Sequence, residues 1–101
     1  MLALRPNCEL CDKDLPPDSL EARICSYECT FCARCVEELG NVCPNCGGGF
    51  CPRPVRPRGE YREGLGLEHH PASVPRKHSP WSPRERERFC RRVAAIPAHE
   101  R

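Results

Sequence analysis

The sequence predicts a small metal-stabilised α+β domain followed by a flexible basic tail. Three observations predict it: the chain is short, eight of its ten cysteines crowd between Cys8 and Cys46, and composition changes abruptly after Cys51. A chain of 101 residues allows one small domain, not two. With one Trp, two Tyr and three Phe, it holds too little apolar surface to offset its conformational entropy. Chains of this kind are stabilised by metal, disulfides or a partner, so the cysteines are the first candidates for stability.

Compartment separates the disulfide reading from the metal reading. The start, Met1-Leu2-Ala3-Leu4-Arg5-Pro6, has no basic n-region, apolar run or cleavage site, and so does not read as a signal peptide. No stretch approaches the ~20 apolar residues of a membrane span, which argues against a membrane partner. The expected setting is the reducing cytoplasm, where paired cysteines bind metal more often than each other.

The spacing is Cys8-x2-Cys11, x13, Cys25-x3-Cys29, x2, Cys32-x2-Cys35, x7, Cys43-x2-Cys46. A Cys-x2-Cys knuckle curls the backbone around one ion, and two such pairs complete a tetrahedron at about 2.3 Å per Zn–S bond. The eight thiols therefore predict two Zn2+ ions. Sequential pairing would group Cys8, Cys11, Cys25 and Cys29 on one ion. Interleaved pairing would group Cys8, Cys11, Cys32 and Cys35 on one ion, and Cys25, Cys29, Cys43 and Cys46 on the other. An all-cysteine site is closed to water and substrate, so both ions read as structural, each supplying folding free energy on the order of 10 kcal/mol. Cys29-x2-Cys32-x2-Cys35 before Cys43-Pro44 is similar to the bacterial ferredoxin run, but its last gap is seven instead of three, leaving an iron–sulfur protein as an alternative. A thioredoxin-like role is weaker, since no βαβ pattern surrounds any pair. Cys51 and Cys90 read as spare thiols and His69-His70 as solvated polar surface. No Ser/His/Asp set or phosphate-cradling loop is present, and the chain is expected not to be an enzyme.

Within a cysteine-rich domain at residues 1–52, Pro16-Pro17-Asp18-Ser19 is turn chemistry, and Ala22-Arg23-Ile24 predicts a strand entering Cys25. Ala33 to Leu39 predicts a two-turn helix, with Gly40 placed to end it in a left-handed conformation. Gly47-Gly48-Gly49 allows a sharp turn after the last thiol. Residues 53–81, rich in Pro, Arg and Gly, read as a mobile linker. Residues 82–96 predict a short helix, because Ser82-Pro83-Arg84-Glu85 is a capping box with Pro at the first helical position. Phe89, Val93 and Ile96 then form one apolar stripe, Pro97 ends the helix, and 97–101 form a tail. Residues 1–51 carry four basic against eight acidic residues, whereas 52–101 carry twelve against six. The basic tail raises a nucleic-acid alternative through Arg84, Arg86, Arg88, Arg91 and Arg92, with Trp81 available for stacking. The competing reading is a solvated helix face laced with ion pairs.

The order of cysteine spacings resembles the RING finger, whose pairs interleave in a cross-brace. Cys29 stands where that family commonly has histidine, and Phe31 and Pro44 also match. Leu10 stands where many RING ligases place an apolar contact for the ubiquitin-conjugating enzyme. Gly47 departs from the basic residue that often follows the last ligand of active ligases. The resemblance implies a RING-like or treble-clef-like fold, favours interleaved pairing and raises a ubiquitin-ligase-like alternative. A closer likeness lies in Leu4-Arg5-Pro6-Asn7-Cys8-Glu9, Asp14-Leu15-Pro16-Pro17-Asp18-Ser19, Ile24-Cys25-Ser26, Glu28-Cys29-Thr30-Phe31-Cys32 and Cys43-Pro44-Asn45-Cys46-Gly47-Gly48. These residues resemble the bacterial domain-of-unknown-function family 1272 across about 1–58. That resemblance implies a zinc-binding domain in a bacterial cytoplasm, supplies no reaction, and weakens the ubiquitin reading. The resulting expectation is a zinc-binding, non-enzymatic module presenting a fixed surface to a protein partner, with Leu10, Phe31, Val36 and Leu39 as core or contact residues.

Overall fold

The strand expected at Ala22–Ile24 is the centre of the sheet. The computed structural model covers residues 1–101. In it, β1 (Ala22–Ile24) pairs antiparallel with β2 (Thr30–Cys32), setting Ala22 opposite Cys32, Arg23 opposite Phe31 and Ile24 opposite Thr30. On its other edge β1 pairs with β3 (Cys51–Pro52), giving the order β2-β1-β3. Pro52 is tolerated there because β3 is an edge strand whose missing N–H breaks no interior ladder. Helix α1 (Ala33–Glu38) leaves β2 without a loop, and Gly40 follows at φ 66° in the expected left-handed position. Helix α2 (Pro83–Ala94) begins as its capping residues dictate: the Ser82 hydroxyl accepts from the Glu85 amide at 3.2 Å, and Pro83 occupies the first turn. A short 3-10 turn, Ala98–Glu100, ends the chain.

Phe31, Leu4, Leu15 and Val42 are fully buried, and Phe50 meets Phe31 edge to face at 5.4 Å between ring centres. Seven of the twelve residues in the main core cluster are cysteines, so sulfur stands where a larger domain would place hydrocarbon. Phe31 and Leu39 are core residues as expected; Leu10 and Val36 pack against that core and are only partly buried.

The tail lies against the head in the structure. Residues 53–81 form a strap bonded to the head over 53–58 and 73–81, while the turns between are bonded within the strap. The Arg53 guanidinium is buried and donates to the Arg5, Leu15 and Pro16 carbonyls at 2.8–3.2 Å. Arg56 donates to the Leu2 and His70 carbonyls, and the Ser73 amide to the Leu4 carbonyl. Arg76 reaches Asp12 and Asp14, while Asn7 and Lys77 exchange two hydrogen bonds. The cause is complementary: the Pro-rich backbone is already extended, and its cations meet the carbonyls and carboxylates of an acidic head. Helix α2 is docked as well. Phe89 and Val93 pack against the core and Cys90 is buried in it. Ile96, expected in the same stripe, is exposed instead, since Pro97 turns the chain away just after it. No helix is long and apolar enough to cross a membrane.

Candidate metal centre

Backbone geometry aims each thiol. In the loop from Cys8 to Cys11, the Asp12 amide donates to the Cys8 carbonyl at 2.9 Å, and the Cys8 amide donates to the Lys13 carbonyl at 2.9 Å. The loop from Cys43 to Cys46 repeats this pattern, with Gly47 N–H to Cys43 at 2.7 Å and Cys43 N–H to Gly48 at 2.8 Å. The equivalent residues Asp12 and Gly47 both adopt positive φ, 64° and 84°. Each loop thus wraps tightly and turns two sulfurs to its inside. Cys25 and Cys29 come from the β1–β2 hairpin loop, closed by Glu28 N–H to Cys25 at 2.9 Å, with Glu28 at φ 65°. Cys32 is the residue before α1 and Cys35 lies in its first turn, so the last pair is held by a helix start.

These loops bring the thiols together in two groups. The sulfurs of Cys8, Cys11, Cys32 and Cys35 lie within 4.8 Å of one another, as do those of Cys25, Cys43 and Cys46. The grouping is the interleaved one. Cys29 adjoins the second group, where its side chain interacts with Cys43 and Cys25. All ten cysteines are free thiols. Cys11 and Cys32 sulfurs are 3.8 Å apart and those of Cys25 and Cys46 3.7 Å apart, far beyond the ~2.05 Å of a disulfide. Four sulfurs each about 2.3 Å from a central ion at tetrahedral angles lie about 3.8 Å from one another, so the spacing fits one ion shared by all four sulfurs of the first group and another shared by three of the second, with Cys29 outside the 4.8 Å set.

The electrostatics fit as well. Burial pushes the Cys25 thiol up to about 11. Interaction with Cys43 pulls Cys29 down to about 5, helped by Asn45 and Cys25. That same interaction, together with burial, pushes Cys43 far up, and burial beside Cys32 and Cys8 does so for Cys35. Sulfurs crowded in this way cannot all ionise without a counter-charge, and a divalent cation supplies one. The first group also faces solvent at Cys11, whereas Cys8, Cys32 and Cys35 are buried.

Sequence reasoning missed the polar residues that fix the thiol loops to one another. Glu9, buried between the two groups, accepts from the Thr30 amide at 2.7 Å, from Arg5 at 3.1 Å and from the Asn45 amide nitrogen at 3.1 Å. Asn45 in turn accepts from Ser79 and from the Trp81 indole N–H. Asn7, fully buried, donates to Asp12 and to the Cys8 and Lys77 carbonyls. A side chain inside a Cys-x2-Cys knuckle carries no signal of its own in sequence, because its partners are set by how the loops dock. Leu10 lines a cleft of about 450 Å³ against Leu39 and the α2 residues Pro83, Cys90 and Ala94, so its surface is shared with α2. Cys51 is exposed and Cys90 buried, and neither joins a thiol group. His69 pairs with Glu60 at 2.6 Å on the surface, away from the thiols.

A family model described as a protein of unknown function (DUF1272) matches residues 1–56. Uncharacterized protein R02474 of Rhizobium meliloti (strain 1021) is 57% identical over 81 residues, which cover 79% of this chain and 89% of that protein. No solved structure matches the chain.

Proposed function

The chain belongs to the DUF1272 family of proteins of unknown function, and from that premise we propose that it is a zinc-binding, non-enzymatic interaction module. In this reading Cys8, Cys11, Cys32 and Cys35 hold one structural Zn2+, and Cys25, Cys29, Cys43 and Cys46 hold a second. The observation that carries it is the packing of seven sulfurs into two groups, four and three, each within 4.8 Å, with Cys29 beside the second. The interleaved order of those groups supports a RING-like cross-brace. Four-thiolate donor sets suit zinc or iron. A multi-iron cluster fills the space between its thiolates and spreads them, whereas these sulfurs are close enough to share a single ion.

A closed four-sulfur site offers no open position for water or substrate, which supports a structural role over a catalytic one. What such a site provides is a rigid surface on a chain too small to fix one by apolar burial alone. The partner in this reading is another macromolecule that recognises the fixed loops or the elements docked on them.

Native mass spectrometry with and without a chelator tests the proposal. Two zinc masses per chain, lost on chelation, are expected. Iron with sulfide mass, or a chain that carries no metal when purified under reducing conditions, would overturn it.

A further inference from the structure

The basic residues of residues 52–101 divide into two sets. Arg53, Arg56, Arg76 and Arg101 direct their guanidinium donors at carbonyls or carboxylates of the head. Arg62, Lys77 and Arg58, which pairs with Asp18, also lie on the strap, and the second set, Arg84, Arg86, Arg88, Arg91 and Arg92, gathers on α2. Arg84, Arg88, Arg91 and Arg92 stand at helical spacings of four, seven and eight from the first, which puts them on one side. All four are exposed and, with Glu87, line a shallow groove of about 410 Å³. Arg91 pairs with Glu87 at 2.6 Å and Arg92 lies over the Phe89 ring at 5.6 Å. Arg84 and Arg88 have no carboxylate partner among the ion pairs of the chain. The other side of the helix is anchored: Cys90 is buried, and Phe89 and Val93 pack on the core.

We propose that this outer face of α2 binds the phosphate backbone of duplex nucleic acid without reading its bases, an inference that rests on the reading of the chain as a metal-fixed binding module. From Arg84 to Arg92 the helix rises about 12 Å. A duplex presents about seven phosphates over that length. Guanidinium groups suit phosphate oxygens because their donors form a planar fork. The acidic head, made more negative by eight thiolates than two divalent ions can neutralise, repels phosphate and leaves α2 as the side of approach. An anionic membrane is the poorer partner, because surface-bound amphipathic helices bury an apolar face in lipid and that face of α2 is already covered by the head. Single strands are poorer too, since they are held by base stacking on aromatic rings. Trp81, the aromatic residue just ahead of α2, is tied by its indole N–H to Asn45 at 3.1 Å.

The test is fluorescence anisotropy of a labelled mixed-sequence duplex with the zinc-loaded full chain at 50 and 200 mM salt. Neutralising three phosphates weakens binding about 40-fold between those concentrations. Arg84→Gln with Arg88→Gln should lower affinity at least tenfold and reduce the slope of log K against log salt by about two. Arg58→Gln with Arg62→Gln removes the same charge away from α2 and should leave the affinity within twofold. Metal stoichiometry, measured on each variant, reports whether it is folded. No binding at 50 mM, an equal loss in the control pair, or tighter binding of single strands, polyglutamate or anionic-lipid vesicles overturns the inference. A chain with two ions and no duplex affinity removes this inference alone. Duplex binding by a chain that holds no metal supports this face and removes the metal reading instead.

Discussion

Gly47 joins the second thiol group to α2 at a single backbone position. Its φ of 84° allows the Gly47 amide to close the loop onto the Cys43 carbonyl, and its missing side chain leaves room for Phe89 and Val93. An added Cβ would sit 3.5 Å from the Phe89 ring and 3.7 Å from Val93. Those are ordinary contacts, so the cost of Gly47→Ala is conformational: about 1–2 kcal/mol for an L side chain held at positive φ. Thermal melting of the zinc-loaded chain should show that loss for Gly47→Ala and little change for Gly48→Ala, whose backbone needs no left-handed turn. Cysteine substitutions carry a sharper expectation. Cys29→Ser should reduce the metal content from two ions to one by native mass spectrometry, and Cys51→Ser should leave two. Equal stoichiometry in both would remove Cys29 from the second site. Glu9 is a third test. Its carboxylate serves Thr30, Arg5 and Asn45 from a buried position, so Glu9→Ala strands buried donors and should cost about 2–3 kcal/mol. A loss below about 0.5 kcal/mol in denaturant titration would show that water replaces the carboxylate.

Helix α2 was visible in the sequence because its signals are local: Ser82 before Pro83, Glu85 three residues after the cap, and apolar residues at Phe89 and Val93. α1 was legible for the same reason, through Gly40, which adopts the left-handed φ its position requires. Strand β1 was legible as a short run entering Cys25, but β2 and β3 span three and two residues, too few for a period-two pattern to appear. The strap's contacts left no signal in the sequence because nothing within residues 53–81 announces a partner. Asn7 and Lys77 lie 70 positions apart, and Arg76 and Asp12 lie 64 apart. The thiol sites were legible as residue types and spacing; their interleaving became visible only once α1 and the hairpin were placed. Docking of α2 by an apolar stripe gives an element-level prediction. Phe89→Ala removes a partly buried ring and should cost about 2 kcal/mol. Ser82→Ala should cost about 1 kcal/mol by loss of the cap. Because α2 lies outside the thiol loops, both variants should speed hydrogen exchange of the 83–94 amides while leaving those of 30–35 protected. Equal acceleration in the two regions would show that the helix is part of the same folding unit as the metal loops.

At the scale of the molecule, sulfur coordination and the strap depend on each other. The radius of gyration is 14.5 Å, a little above the ~13 Å of a compact chain of this length, with extents of 46 × 26 × 19 Å. That elongation reflects a small head with a strap and a helix laid on it. The strap is attached to the metal loops themselves: Lys77 bonds Asn7, Ser79 bonds the Glu9 carbonyl, Arg76 bonds Asp12, and Trp81 bonds Asn45. Loss of metal therefore removes the strap's anchors as well as the core. Seven cysteines in a twelve-residue core leave too few hydrocarbon contacts to hold the head once the ions are gone, and an isolated α2 is marginal in water. Chelation followed by amide resonances should accordingly show one concerted loss, with signals from residues 8–46, the strap and α2 disappearing at the same chelator concentration. Arg76→Ala should loosen the strap, seen as faster exchange at residues 73–79, without changing the number of ions bound. Two results would break the argument. One is a metal-free chain that keeps dispersed signals in residues 22–35. The other is a strap that is released well before the ions leave, which would mean that its contacts lie on the head without depending on the loops that the sulfurs hold.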